Sequence, residues 1–238
     1  MCEKCRDGAM ARRHFLKLGA AGLAAMTLGA AGVTSIARAQ TGALTPDQAL
    51  ATLKEGNARY VAKPDLCVID LAAQRNATAA GQAPWATVIS CADSRVPPEL
   101  LFGGRGVGEL FIARNAGNLV DTATLGTVEY GHAVLGSPLI VVLGHTACGA
   151  VKAACDVVTK NATYPGAIQP MIEPIVPAAI AMRDQPGDFV LNTTKESAKR
   201  TAARLGAASS ILKGAMNEGK LKVVAGVYDL ATGTVGWL

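Results

Sequence analysis

Aromatic side chains are scarce: four Phe, two Trp and four Tyr make up 4% of the 238 residues. Half of the residues are apolar, so a core has to be built from Ala, Val, Leu and Ile. A charge excess is missing as well, once the chain is divided. The formal net charge is +5, but residues 1–39 supply most of it through Lys4, Arg6, Arg12, Arg13, Lys17 and Arg38. From Gln40 onward, 17 basic residues face 16 acidic ones. That balance excludes a nucleic-acid or anionic-membrane partner recognised by bulk charge. No internal repeat occurs, and beyond the first 39 residues there is no low-complexity segment. The Gly103-Gly104-Arg105-Gly106 stretch lacks the GxxxxGK[ST] spacing of a phosphate loop and reads as a turn.

The basic beginning has its own logic. Arg12-Arg13-His14-Phe15-Leu16-Lys17 precedes an uncharged run from Leu18 to Ala37, and Ala37-Arg38-Ala39 is a small-x-small cleavage site. The paired arginines resemble a twin-arginine export signal. The expectation is a signal peptide over 1–39, cut after Ala39, and one domain over 40–238 delivered to the periplasm or another exported space by the twin-arginine machinery. Stable membrane insertion after cleavage is not expected; an uncleaved leader would tether the domain. Cys2 and Cys5 fall in the leader, leaving Cys67, Cys91, Cys148 and Cys155. An exported compartment favours disulfides. Cys67 and Cys155 read as small buried apolar residues, with a bond between them left open.

Apolar periodicity gives the framework. Thr45 is an N-cap with Pro46 at the first helical position and Gln48 three residues after the cap, predicting a helix from about Pro46 to Tyr60. A second helical segment is expected over Asp65–Ala80. Trp85–Ser90, Glu109–Ala113, Leu139–Leu143 and Lys222–Tyr228 read as strands, with a short returning strand over Thr234–Leu238. Helices are expected between them over Leu119–Leu135, from Cys148 to about Val158, Pro170–Met182 with interruptions at Pro174 and Pro177, Asp188–Leu205 and Ala207–Asn217. Strands separated by helices predict an α/β fold: a mainly parallel β-sheet of four strands with one antiparallel edge strand, flanked by helices.

Two chemical clusters sit at strand exits, where open α/β sheets place ligands. The first is Cys91-Ala92-Asp93-Ser94-Arg95; the second is His145-Thr146-Ala147-Cys148. Two thiolates and one imidazole are a soft, zinc-preferring set. Three protein ligands leave the fourth tetrahedral position for water, whereas structural zinc takes four. Cys155 is a conceivable fourth ligand, but its place two turns into a helix argues against it. Asp93 can accept a hydrogen bond from zinc-bound water, and Arg95 can hold that carboxylate ionised through a bidentate pair. Thiolate ligands acidify the water less than imidazoles do, so activity should rise on the alkaline side. His132 has no metal partner at helical spacing and reads as structural or solvated.

Cys91-x-Asp93-x-Arg95 followed by His145-x-x-Cys148 resembles the β-class carbonic anhydrases. Leu53–Tyr60, Arg114-Asn115-Ala116-Gly117-Asn118, Glu129-Tyr130 and Val227-Tyr228-Asp229-Leu230-x-Thr232-Gly233 are also similar to that family's motifs, in order and spacing. The resemblance implies one zinc per subunit and reversible hydration of carbon dioxide to bicarbonate and a proton, with Asp93–Arg95 as the orienting dyad. It implies a substrate pocket with Gln82, Phe111 and Tyr130, the Gly149 amide as a further donor, and a homodimer or homotetramer with pockets at the dimer interface. The family's bicarbonate-inhibited subclass has Trp three residues before the first zinc cysteine and Gly immediately before it; Val88 and Ser90 stand there. The open state is therefore expected, with water rather than Asp93 as fourth ligand. The rivals are a carbon disulfide or carbonyl sulfide hydrolase on the same fold, and a non-catalytic zinc-binding scaffold.

Overall fold

A computed structural model describes residues 44–64 and 71–238. The leader, Cys67 and the first part of the second expected helix lie outside the described residues. No described helix is long and apolar enough to cross a membrane.

Five strands form one sheet: β1 (Ala86–Cys91), β2 (Leu110–Asn115), β3 (Leu139–His145), β4 (Lys222–Tyr228) and β5 (Val235–Trp237), in spatial order β2-β1-β3-β4-β5. β1–β4 are parallel and β5 pairs antiparallel with β4. The β1 and β3 strands are buried along their whole length. That is why ATVISC and LIVVLGH read as unbroken rather than alternating apolar runs. Val88, Val141 and Leu143 share one cluster with Leu53, Leu101 and Phe102. On the other face, Ile89, Ile140 and Val142 pack with Ala198, Leu205 and Leu212.

The chain leaves β1 toward β2 on one side and returns to β3 on the other, so strand order reverses at β1. A crevice opens beyond the carboxyl ends of strands at such a reversal. Cys91 ends β1 and His145 ends β3.

Helix α1 (Pro46–Ala62) begins with the expected capping box between Thr45 and Gln48. The second helix, α2, is Leu71–Thr78 within the described residues. Pro98 starts a one-turn helix, α3 (Pro98–Leu101); proline suits a first helical turn because no backbone donor is needed there. The remaining helices are α4 (Thr122–Ala133), α5 (Gly149–Lys160), α6 (Ile168–Ile172), α7 (Val176–Met182), α8 (Phe189–Ala208) and α9 (Ser210–Asn217). A 3₁₀ turn, Glu173–Ile175, joins α6 to α7 and contains Pro174. Ser209 ends α8 and caps α9, its hydroxyl accepting from the Leu212 amide. His132 is tied to its own helix end, Nδ1 lying 2.9 Å from the Ser137 carbonyl.

One buried polar residue ties α1 to the sheet edge. Asn57 donates to the carbonyls of Leu101 and Gly233 and accepts from the Val235 amide, each at 2.9 Å. Its neighbour Gly56 admits the chain after α3, since a Cβ there would lie 2.0 Å from the Phe102 carbonyl oxygen. Asn57→Ala leaves three backbone groups without their partner and is expected to cost about 3 kcal/mol. Urea unfolding should show the lower midpoint; an unchanged midpoint would contradict this account.

Candidate metal centre

The two cysteines and the histidine converge beyond the sheet. Sγ of Cys91, Sγ of Cys148 and a ring nitrogen of His145 all lie within 4.8 Å of one another, and all three residues are buried. The sulfurs are 4.0 Å apart. Tetrahedral zinc with Zn–S bonds of ~2.3 Å requires about 3.8 Å between sulfurs. Thiolate and imidazole donors at that spacing fit zinc.

The histidine is already oriented for this task. Nδ1 lies 2.9 Å from the Thr146 carbonyl oxygen. A carbonyl can only accept, so Nδ1 carries the proton and Nε2 presents a lone pair. Nε2 is buried and has no hydrogen-bond partner. A polar atom left this way is costly unless a cation takes it. The turn that brings His145 and Cys148 together contains Ala147 at φ +54°, a left-handed conformation uncommon without glycine. Thr146 pins that turn to β4: its amide donates to the Tyr228 carbonyl and its hydroxyl accepts from the Leu230 amide.

The thiols share one charge. The hydrogen bond from Cys148 lowers the Cys91 pKa, helped by His145 and by the Gly117 amide 3.4 Å from Sγ, with burial opposing. Cys148 is pushed up, first by that same bond with Cys91 and then by burial. As N-cap of α5, Cys148 also faces the amides of Ala150 and Val151, which favour its anion. Cys155 stands apart from the three ligands, a buried free thiol whose Sγ lies 3.5 Å from the Thr193 hydroxyl.

Asp93 and Arg95 stand beside the ligands. Arg95 Nε donates to Oδ1 at 2.9 Å and Nη2 to Oδ2 at 2.7 Å. The Arg95 amide adds a third bond to Oδ1 at 2.9 Å, so the carboxylate closes its own turn. These bonds hold the Asp93 pKa well below the usual carboxylate range, chiefly through the Arg95 side chain. Oδ2 is also 3.8 Å from His145 Nε2, which sets the carboxylate next to the metal position.

Residues that the sequence marked only as part of a family-like motif, with no role of their own, shape this loop. Arg114 donates from Nε to the Cys91 carbonyl at 3.0 Å and from Nη2 to the Asp93 carbonyl at 2.6 Å. Asn115 both donates to and accepts from Leu119, closing the turn that carries Gly117 at φ +82°. The available signal was the β1–β2 pairing, which sets Asn115 opposite Cys91.

The expected pocket residues fall elsewhere within one chain. Gln82 is exposed and precedes the start of β1, whereas Cys91 ends it. Five strand steps of ~3.3 Å put roughly 17 Å between those ends. Phe111 pairs with Thr87, near the same far end, and its ring lies 6.2 Å from that of Tyr130, which is 48% exposed. Gly149 is at hand: it opens α5 directly after Cys148, and no heavy atom lies within 4 Å of where its Cβ would be.

A family model described as carbonic anhydrase matches residues 86–235. The chain is 37% identical over 188 residues to carbonic anhydrase 2 of Mycobacterium tuberculosis, covering 79% of this chain and 90% of that one. The structure is similar to the β-carbonic anhydrase CafA of Aspergillus fumigatus, with TM-score 0.63, 26% identity, and coverage of 81% of this chain and 89% of that one. It also shares its fold with a structure from a study of two tetrameric β-carbonic anhydrases of Sordaria macrospora, at TM-score 0.62, 24% identity, and coverage of 70% and 90%.

Cys148→Ser is expected to lower bound zinc from about one ion per chain to well below half, while the far-ultraviolet spectrum keeps its α/β shape. Elemental analysis of freshly purified, reduced protein checks this; full zinc in the variant would remove Cys148 from the ligand set.

Proposed function

The chain belongs to the β-class carbonic anhydrases and catalyses the reversible hydration of carbon dioxide, and on that premise we propose how its residues divide the work. Cys91, His145 and Cys148 hold one zinc ion. Zinc supplies a water acidified to ~7 or somewhat above, a nucleophile at near-neutral pH. The observation that carries the reading is the buried, partnerless His145 Nε2 facing two sulfurs 4.0 Å apart.

Asp93 accepts a proton-bearing donor at the metal position and keeps it aimed. Its affinity for a proton is so reduced by Arg95 that it accepts rather than titrates near neutral pH. With three donors already on its two oxygens, Asp93 is poorly placed to become a metal ligand itself, which supports the open state. The Gly149 amide, at the positive end of α5, binds a substrate oxygen.

Gln82, Phe111 and Tyr130 reach the substrate of a second copy of the chain rather than their own. Their place at the opposite end of β1 from Cys91, together with the half-exposed Tyr130 ring, supports a homodimer or a tetramer built from it. The tetrameric Sordaria macrospora proteins are consistent with such assembly. The Arg12-Arg13 leader supports export through the twin-arginine machinery, with the domain over 40–238 acting in the periplasm or an equivalent space.

Stopped-flow hydration measurements test the dyad. Asp93→Asn is expected to lower kcat by about 10²-fold at unchanged zinc content. Wild-type activity should rise toward alkaline pH. That rise is not the ionisation of Asp93: a carboxylate with depressed pKa is already charged on the acid side of neutrality, so the Asn variant keeps the rise at a lower plateau. Undiminished hydration by Asp93→Asn would return the non-catalytic reading. For export, N-terminal sequencing of protein from the exported fraction should begin at Gln40, and Arg12→Lys with Arg13→Lys should leave uncut precursor inside the cell; normal export of that variant would dismiss the leader assignment.

A further inference from the structure

A second polar site lies on helix α8, away from the metal ligands. Ser197, Arg200, Thr201 and Arg204 stand at positions i, i+3, i+4 and i+7, so they share one face of the helix. With Leu119 and Pro174 they line a cavity of about 60 Å³. At 10–15 Å³ per water-sized occupant, that is room for roughly four to six atoms. A carbonate-like or phosphate-like ion has four or five.

The hydroxyls in this cavity behave unlike their counterparts. Thr52, Thr78, Thr127, Thr159 and Thr194 each donate back to the carbonyl four residues earlier on their own helix. Ser197 and Thr201 sit in a helix as well, at 4% and 7% exposure, yet neither hydroxyl has a protein partner. Two residues more than nine-tenths buried therefore line the cavity with hydroxyls that make no bond within the protein. Arg204 makes no ion pair among the described residues. Arg200 is held from one side by Glu196, Nε to Oε1 at 2.6 Å, leaving its terminal nitrogens uncommitted. The carboxylate closest in sequence to Leu119, Asp121, is occupied as N-cap of α4, accepting from the Thr124 amide. Donors without acceptors, two guanidinium groups and an apolar floor call for a compact anion with several oxygens.

We propose that Ser197, Arg200, Thr201 and Arg204 form a binding site for a small inorganic oxyanion, separate from the metal centre. Leu119 joins this cavity to the catalytic loop: it packs in the cluster containing Cys91 and Cys148, and Asn115 clasps its backbone on both sides.

Isothermal titration of the zinc-loaded full chain with inorganic phosphate tests the site. Wild type should bind one phosphate per chain with an affinity that falls as salt is raised. Arg204→Ala and Arg200→Ala should each weaken it tenfold or more, and Thr201→Val several-fold, with phosphate-free hydration rates unchanged. Phosphate held at the metal instead would be indifferent to these three substitutions, so equal affinity in wild type and variants overturns the proposal, as does absence of binding to wild type. Bicarbonate added to the phosphate complex separates the sources: displacement in wild type assigns the site to the enzyme's own product, and no displacement assigns it to tetrahedral anions.

Discussion

Two sulfur atoms 4.0 Å apart in a buried pocket cannot both be anions unless a cation lies between them. The metal-free chain meets this by leaving one proton on the pair, with Cys91 pulled down and Cys148 pushed up. Much of the surrounding architecture serves to keep the sulfurs close. The reversal of strand order at β1 brings β1 and β3 side by side with their carboxyl ends at one crevice. The left-handed Ala147 and the Gly117 turn then fold the two exits inward. Apolar packing from Leu119, Val151 and Ile175 closes the space behind the ligands. Away from that point the sheet is ordinary aliphatic core.

Around that point the chain uses backbone carbonyls and amides more than side chains. Arg114 holds two carbonyls of the Cys91–Asp93 segment, Gly117 offers an amide to a sulfur, and Thr146 fixes the histidine tautomer with its own carbonyl. A guanidinium that bridges two carbonyls sets the spacing between Cys91 and Asp93. The dyad itself is locally closed: Asp93 and Arg95 are two residues apart and satisfy each other. It therefore needs little help from distant elements beyond that clamp.

The Cys91, His145 and Cys148 cluster and the Asp93–Arg95 pair beside it were legible because their chemistry is carried by residue type at a strand exit. Cys91-x-Asp93-x-Arg95 and His145-x-x-Cys148 each follow a run too apolar to be anything but a buried strand. The strand set and the antiparallel edge were legible for the same reason, and the α1 capping box from three residues. Arg114 and Asn115 looked like a polar strand end; their role depends on the register between β1 and β2, which single-strand periodicity does not contain. The short helix at Pro98 was not legible, because proline both disfavours helix before itself and starts one. Ser197 and Thr201 carried no signal at all, since a hydroxyl on a helix ordinarily turns back on its own backbone.

The bond from the Val235 amide to Asn57 reaches beyond stability. Val235 lies in β5, the last strand of the sheet, and stands opposite Tyr228 on β4. Its N–H points away from β4 and is used up by a side chain of α1. An incoming strand would have to dislodge that side chain before it could template on this border. One amide side chain thus serves both as a tie between α1 and the sheet and as a stopper against strand-by-strand addition at this edge.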